Sequence, residues 1–140
     1  MKDEMAVCQS GLHLPVSRVL VQILKAYLPE PPFIPSAVTL NFRDPQYSAE
    51  TGGFHPVEIR LTHQTGGWYF DYITDFSYSG HPWPELEKEI DFCWSQGYIW
   101  YAMGGDLDEE EGEALFELWQ RNFIQYCRMK IYTVTLHTGN

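Results

Sequence analysis

Three separate stretches of this sequence alternate apolar and polar residues with a period of two, and this pattern constrains the fold more than any other feature. Val38, Leu40 and Phe42 alternate with polar neighbours. Val57, Ile59 and Leu61 alternate with Glu58, Arg60 and Thr62. Ile90, Phe92 and Trp94 alternate with Asp91, Cys93 and Ser95. A strand places successive side chains on opposite faces, so each run has one face for a core and one for water. The links are short. Gln64-Thr65-Gly66-Gly67 is a hairpin signal leading into a strand over Trp68–Phe76, and Ser95-Gln96-Gly97 turns the chain into a strand over Tyr98–Met103. Short links join antiparallel neighbours. A last strand is predicted over Ile131–Leu136.

Two segments follow a helical period instead. Val16, Val19, Leu20, Ile23, Leu24 and Tyr27 form one stripe, with Pro15 suited to the first helical position and Pro29 ending the run. A second helix is predicted over Glu109–Arg128, with a stripe of Leu115, Leu118, Trp119, Asn122, Phe123 and Tyr126. Asp108 is its N-cap and Glu111, three residues on, completes a capping box. The predicted order is α-β-β-β-β-β-α-β. The fold class is therefore α+β: a twisted antiparallel sheet of about six strands flanked by two helices on one face. With 140 residues, a single domain over 1–140 is expected, with 1–13 as a loose tail.

Composition narrows the partners. Hydrophobic residues make up 44% and aromatics 16%, enough for a packed core. The formal charge is −10. Such a chain repels phosphate backbones and anionic lipid surfaces, which excludes direct nucleic-acid and membrane binding as expectations and favours a protein partner with a basic surface. Cys8, Cys93 and Cys127 form no C-x-x-C pair, so neither a disulfide framework nor a zinc knuckle is expected. A cytoplasmic setting follows. No secretory leader pattern is visible, and no apolar run approaches the roughly 20 residues of a membrane span.

The acid is unevenly placed. Residues 81–113 carry a net −9, whereas 1–40 are neutral, 41–80 carry −3 and 114–140 carry +2. Glu109–Glu111 suit a helix start, where carboxylates meet the positive end of the dipole. Glu85, Glu87, Glu89 and Asp91 have no such reason. By alternation they line one face, and that face is the candidate surface for a basic partner.

Chemical motifs are sparse. Asp106, Asp108, Glu110 and Glu117 occupy positions 1, 3, 5 and 12 of a calcium loop, but position 6 is Glu111 where glycine is needed. Asp71 and Asp75 share a strand face by parity, yet roughly 13 Å of strand separates them, too far to share a proton or metal unless another strand supplies a partner. His55 and His63 have the parity of the apolar face, and either could serve as a base beside Asp71 or Asp75. No strained G-x-S-x-G elbow or H-E-x-x-H helix accompanies them. Cys127, in the last helical turn, is not expected to be reactive. No catalytic set, metal or cofactor is assigned. The long loop over Asp44–Phe54 joins two strands, which makes Arg43, Glu50, His55 and Arg60 a second candidate neighbourhood for binding.

Four longer stretches carry a resemblance: NFRDPQYSAETGGFHPVEIRL (Asn41–Leu61), YITDFSY (Tyr72–Tyr78), ELEKEIDF (Glu85–Phe92) and LFELWQRNFIQY (Leu115–Tyr126). Together they resemble an uncharacterised family of gamma-proteobacterial proteins associated with mobile genetic islands. More distantly, that family is similar in fold to the acidic mitochondrial matrix glycoproteins, which assemble as ring-shaped trimers and bind many proteins. The resemblance implies an acidic, self-associating protein-binding domain. It brings no catalytic residues. This chain is shorter than those glycoproteins and is predicted to end in a strand instead of a helix, which weighs against the ring. Two other readings stand beside it: a nucleic-acid mimic that occupies the groove of a DNA-binding protein, and a small hydrolase-like enzyme using His and Asp.

Overall fold

The structure is a computed structural model that describes residues 4–80 and 82–139. The elements run β1 (Val7–Cys8), α1 (Arg18–Lys25), β2 (Ala37–Arg43), β3 (Val57–Gln64), β4 (Gly67–Ser79), β5 (Glu85–Cys93), β6 (Tyr98–Tyr101), β7 (Gly105–Asp106), α2 (Glu109–Arg128) and β8 (Thr133–Gly139). One open sheet takes the order β7-β6-β5-β4-β3-β2-β8, antiparallel throughout, with β1 added parallel to β4. The architecture is α+β as predicted, with eight strands where about six were expected. The extra two are the short β1 and β7. β1 lies in the segment predicted to be a loose tail: Val7 and Cys8 pair with Trp68 and Tyr69, and Gln9 bonds to Leu14 and Trp94. Residues 1–3 of that segment lie outside the described residues. Gly67 makes the β1 pairing possible, since a Cβ there would stand 2.3 Å from the Ala6 carbonyl oxygen.

Pairing stacks apolar residues into rows on the face beneath the helices. Val38, Leu61 and Phe70 form one row, and Leu40, Ile59, Ile73, Phe92 and Ile99 a second. The third is Phe42, Val57, Asp75, Ile90 and Tyr101. Helix residues Leu20, Leu24, Phe116, Trp119 and Phe123 join these rows in one core. At about 1.5–3 kcal/mol per buried side chain, the rows and the two helices hold each other.

The first helix keeps its predicted face, with Leu20 and Leu24 buried, but is shorter at both ends, and the second turns slightly from its predicted stripe. Ser17, not Pro15, opens α1: its hydroxyl accepts from the Leu20 N–H, so Pro15 lies before the helix. Tyr27 falls beyond α1 and is exposed. The capping box of α2 is present as predicted, with the Glu111 N–H donating to Asp108 at 2.8 Å and the Asp108 N–H to Glu111 at 3.3 Å. That box, with Asp106 in β7, is what the calcium-like run builds. The buried side of α2 is Gly112, Phe116, Trp119, Gln120 and Phe123, one step round from the predicted stripe. Leu118 is 53% exposed.

Two bulges break the alternation. Arg60 pairs with Tyr72 and Leu61 with Phe70, so Asp71 is an extra residue in β4. Asp75 pairs with Ile90 and Phe76 with Lys88, so Glu89 is an extra residue in β5. A bulge moves every later side chain to the other face.

Candidate functional site: a His–carboxylate pocket and an open sheet edge

The third row contains a carboxylate, Asp75, where its neighbours are Val57 and Ile90. The Asp71 bulge put it there. Strict alternation from Trp68 and Phe70 would have turned Asp75 outward. Asp71 and Asp75 therefore do not share a face, contrary to the parity reading: Asp71 meets the Arg60 Nε at 3.1 Å on the face away from the helices.

Asp75 is anchored from two sides. Its Oδ1 lies 2.9 Å from His55 Nδ1, and its Oδ2 accepts from the indole N–H of Trp119 on α2 at 3.1 Å. His55 is placed by the end of the β2–β3 loop, which folds around Asp44: that carboxylate accepts from the backbone N–H groups of Gln46 and Phe54. Just after His55, the Pro56 carbonyl accepts from the Phe76 N–H, which fixes the loop end beside Asp75. The ring of Tyr47 packs on His55 with centroids 5.5 Å apart.

The second bulge delivers Glu89. Its Oε2 lies 3.4 Å from His55 Nδ1. His55, Asp75 and Glu89 thus come from a loop, from β4 and from β5, with one ligand atom of each within 4.8 Å of the others. Side-chain exposures are 39% for His55, 12% for Asp75 and 27% for Glu89. The bond to Asp75 raises the His55 pKa, against the lowering effect of burial, and the charges of Asp75 and Glu89 add to the rise.

These groups open into a cavity of about 360 Å³. Its walls include Phe54, Tyr101, Tyr126, Tyr132 and the α2 residues Leu115, Leu118, Trp119, Asn122 and Phe123. The predicted α2 stripe faces this cavity in all six positions, while Phe116 and Gln120 turn to the core. No lysine, arginine, serine, threonine or cysteine lines it among the described residues.

The structure assembles the other candidate groupings only in part: Glu85, Glu87 and Glu89 share the helix side of the sheet, and the rest are dispersed. Of Glu85, Glu87, Glu89 and Asp91, only Glu89 enters the pocket. Asp91 is buried on the opposite face, bonded by Thr74, Tyr98 and Lys88. Glu85 and Glu87 remain exposed, with the Ser79 hydroxyl donating to Glu87. Arg43 and Glu50 are exposed, and Arg60 bonds to Asp71 and Thr39 away from His55. His63 sits at the far end of β3, with Nε2 2.9 Å from the Glu4 carbonyl oxygen. The Cys127 thiol is pushed up to about 12 by burial.

At the other side of the sheet, β8 forms an edge. It pairs with β2 over seven residues, Thr133 to Gly139, and with no other strand among the described residues. Six of the seven are exposed, and none is proline, lysine or part of a bulge.

Residues 16–137 match the family described as "Protein of unknown function (DUF2787)". The chain belongs to that family. It is similar to two solved structures of proteins from Vibrio cholerae pathogenicity islands. The hypothetical protein VC0508 of the VSP-II island is 34% identical with a TM-score of 0.83, over 96% of this chain and 99% of that one. The conserved hypothetical protein VC1805 of the VPI-2 island is 35% identical with a TM-score of 0.78, over 94% of this chain and 100% of that one. VC1805 is described as sharing structural homology with the human P32 protein. The likeness to the acidic mitochondrial matrix glycoprotein fold reaches this chain through that relative. No curated protein matches the chain. No helix among the described residues is long and apolar enough to cross a membrane.

Proposed function

We propose that this chain is a non-enzymatic, acidic protein-binding domain that self-associates by pairing β8 with β8 of a second copy. The observation that carries this reading is the unprotected edge. A strand edge presents unpaired N–H and C=O groups, and sheets ordinarily blunt it with lysine, proline, a bulge or a covering element. The seven residues of β8 have none of the first three. Antiparallel pairing about a two-fold axis at Leu136 is self-complementary, setting Val134 against Thr138 and Thr135 against His137. Val134, Leu136 and Thr138 lie on the helix side, where they pair with Phe42, Leu40 and Val38, so the joined sheets share one apolar face. The exposed acids, Glu85, Glu87 and Glu109–Glu111 among them, favour a basic surface on any other protein partner.

Light scattering on the full chain tests the reading: a mass near twice 16.3 kDa is expected. The exposed substitutions Thr135→Lys and Leu136→Lys should return it to one chain with the far-ultraviolet circular dichroism unchanged. A strict monomer at high concentration rejects self-association.

One contact favours a second reading. Asp75 holds His55 by Nδ1, the geometry of an oriented general base. Because no lining residue among the described residues is a serine, threonine or cysteine, the hydrolase-like enzyme would have to activate water. Turnover of an ester or phosphoester panel that disappears in His55→Ala would support it. The mimic reading keeps three carboxylates on one side of the sheet and loses the fourth, since Glu85, Glu87 and Glu89 lie on the side of Asp75 while Asp91 is buried on the other.

A further inference from the structure

The chain spends an unusual amount of its sheet on one cluster. A carboxylate stands in an apolar row, a bulge turns a second carboxylate toward it, and a loop pinned by Asp44 brings an imidazole between them. From this convergence we infer that His55, Asp75 and Glu89 form a binding site for one first-row transition-metal dication, with Zn²⁺ the best match. The site is separate from the β8 edge and does not depend on self-association.

Three features point to a metal. The first is spacing. Ligands about 2.0–2.2 Å from a zinc ion lie about 3.0–3.5 Å from one another. His55 Nδ1 is 2.9 Å from Asp75 and 3.4 Å from Glu89, and all three ligand atoms lie within 4.8 Å of one another, so small shifts bring them round one ion. The second is charge. Two acidic side chains face one imidazole, and no lysine or arginine lines the cavity among the described residues. The third is support. The free oxygen of Asp75 is held by the Trp119 indole N–H, the outer-shell bond that fixes a ligating carboxylate. An imidazole with two carboxylates suits zinc and its first-row neighbours better than calcium or magnesium, which take oxygen ligands alone. The cavity leaves the remaining coordination positions open to water or a small ligand, the arrangement of a non-structural site.

The test is calorimetric titration of Zn²⁺ into the full chain, stripped with chelator, at pH 8. Co²⁺ serves as a spectroscopic probe, its visible absorption reporting nitrogen and oxygen ligation. One ion per chain is expected. His55→Asn and Glu89→Gln should each weaken binding by at least about 10-fold, and Trp119→Phe, which keeps a ring but loses the N–H, by about 10-fold. His13→Asn, at an exposed position remote from the cluster in sequence and bonding, should leave binding unchanged. Glu89 is partly exposed, so Glu89→Gln should fold; circular dichroism and thermal unfolding verify that for each variant. Absence of binding at millimolar Zn²⁺, or equal affinity in folded Glu89→Gln and wild type, overturns the inference.

Discussion

Asp91 is 3% exposed on the sheet face away from the helices, yet it is a carboxylate. It persists there because it accepts from the Thr74 hydroxyl at 2.8 Å and the Tyr98 hydroxyl at 2.6 Å, with the Lys88 ammonium at 3.4 Å. A buried charge that loses a donor is destabilised more than the mean strength of a hydrogen bond suggests. Tyr98→Phe should therefore cost about 1–2 kcal/mol by urea denaturation, a range lowered for the partial exposure of Tyr98. The same bond raises the Tyr98 pKa above its ordinary 10, with burial adding to the rise. The folded chain thus holds that proton more tightly than the unfolded chain. The contribution is fully present below pH 10 and is lost as pH rises toward the folded value. The stability gap between wild type and Tyr98→Phe should be flat up to about pH 10 and narrow above it.

The position of α2 depends on a missing side chain. Gly112 is buried in the first turns of the helix, and a Cβ there would stand 2.4 Å from Ile99 Cδ1 on β6. Replacing a helical glycine by alanine gains about 1 kcal/mol in propensity, whereas overpacking costs about 1–3 kcal/mol. The clash should win, so Gly112→Ala lowers the unfolding free energy. Ile99→Val removes the clashing methyl. In the double variant the two changes should be favourable to each other by about 1 kcal/mol or more in a double-mutant cycle. Additive effects would mean that α2 sits farther from β6 than described.

Over the whole molecule, the net charge of −10 opposes association of two copies, while backbone pairing at β8 favours it. Salt screens the first effect and barely touches the second; the Debye length shortens from about 30 Å at 0.01 M to about 8 Å at 0.15 M. Self-association measured by sedimentation should therefore strengthen as salt rises over that range. Binding to a basic protein should weaken over the same range, so ionic strength separates the two kinds of partner.

The residues that declared themselves in the sequence are those whose pattern is local. Alternation in Val38–Phe42 and Val57–Leu61, the capping box at Asp108 and Glu111, and the turn at Ser95–Gly97 each depend on neighbours a few positions away, and each element formed where its pattern lies. The overall acidity and the α+β class follow from the same local information. The site was not legible in that way. Asp75 and Glu89 reach His55 only because a single extra residue in each of β4 and β5 reverses a face, and a bulge is set by how two paired strands relieve twist and packing. The α2 stripe shows the same division: helical period marked the six positions that line the cavity, but that Phe116 and Gln120 beside them are buried depends on how the helix packs. The sequence by itself determined the elements, the antiparallel layout and the sign of the charge, because those rest on periodicity and composition. Only the tertiary structure decided that β8 is an open edge and that one histidine stands between two carboxylates, because both depend on which strands lie side by side and in what register.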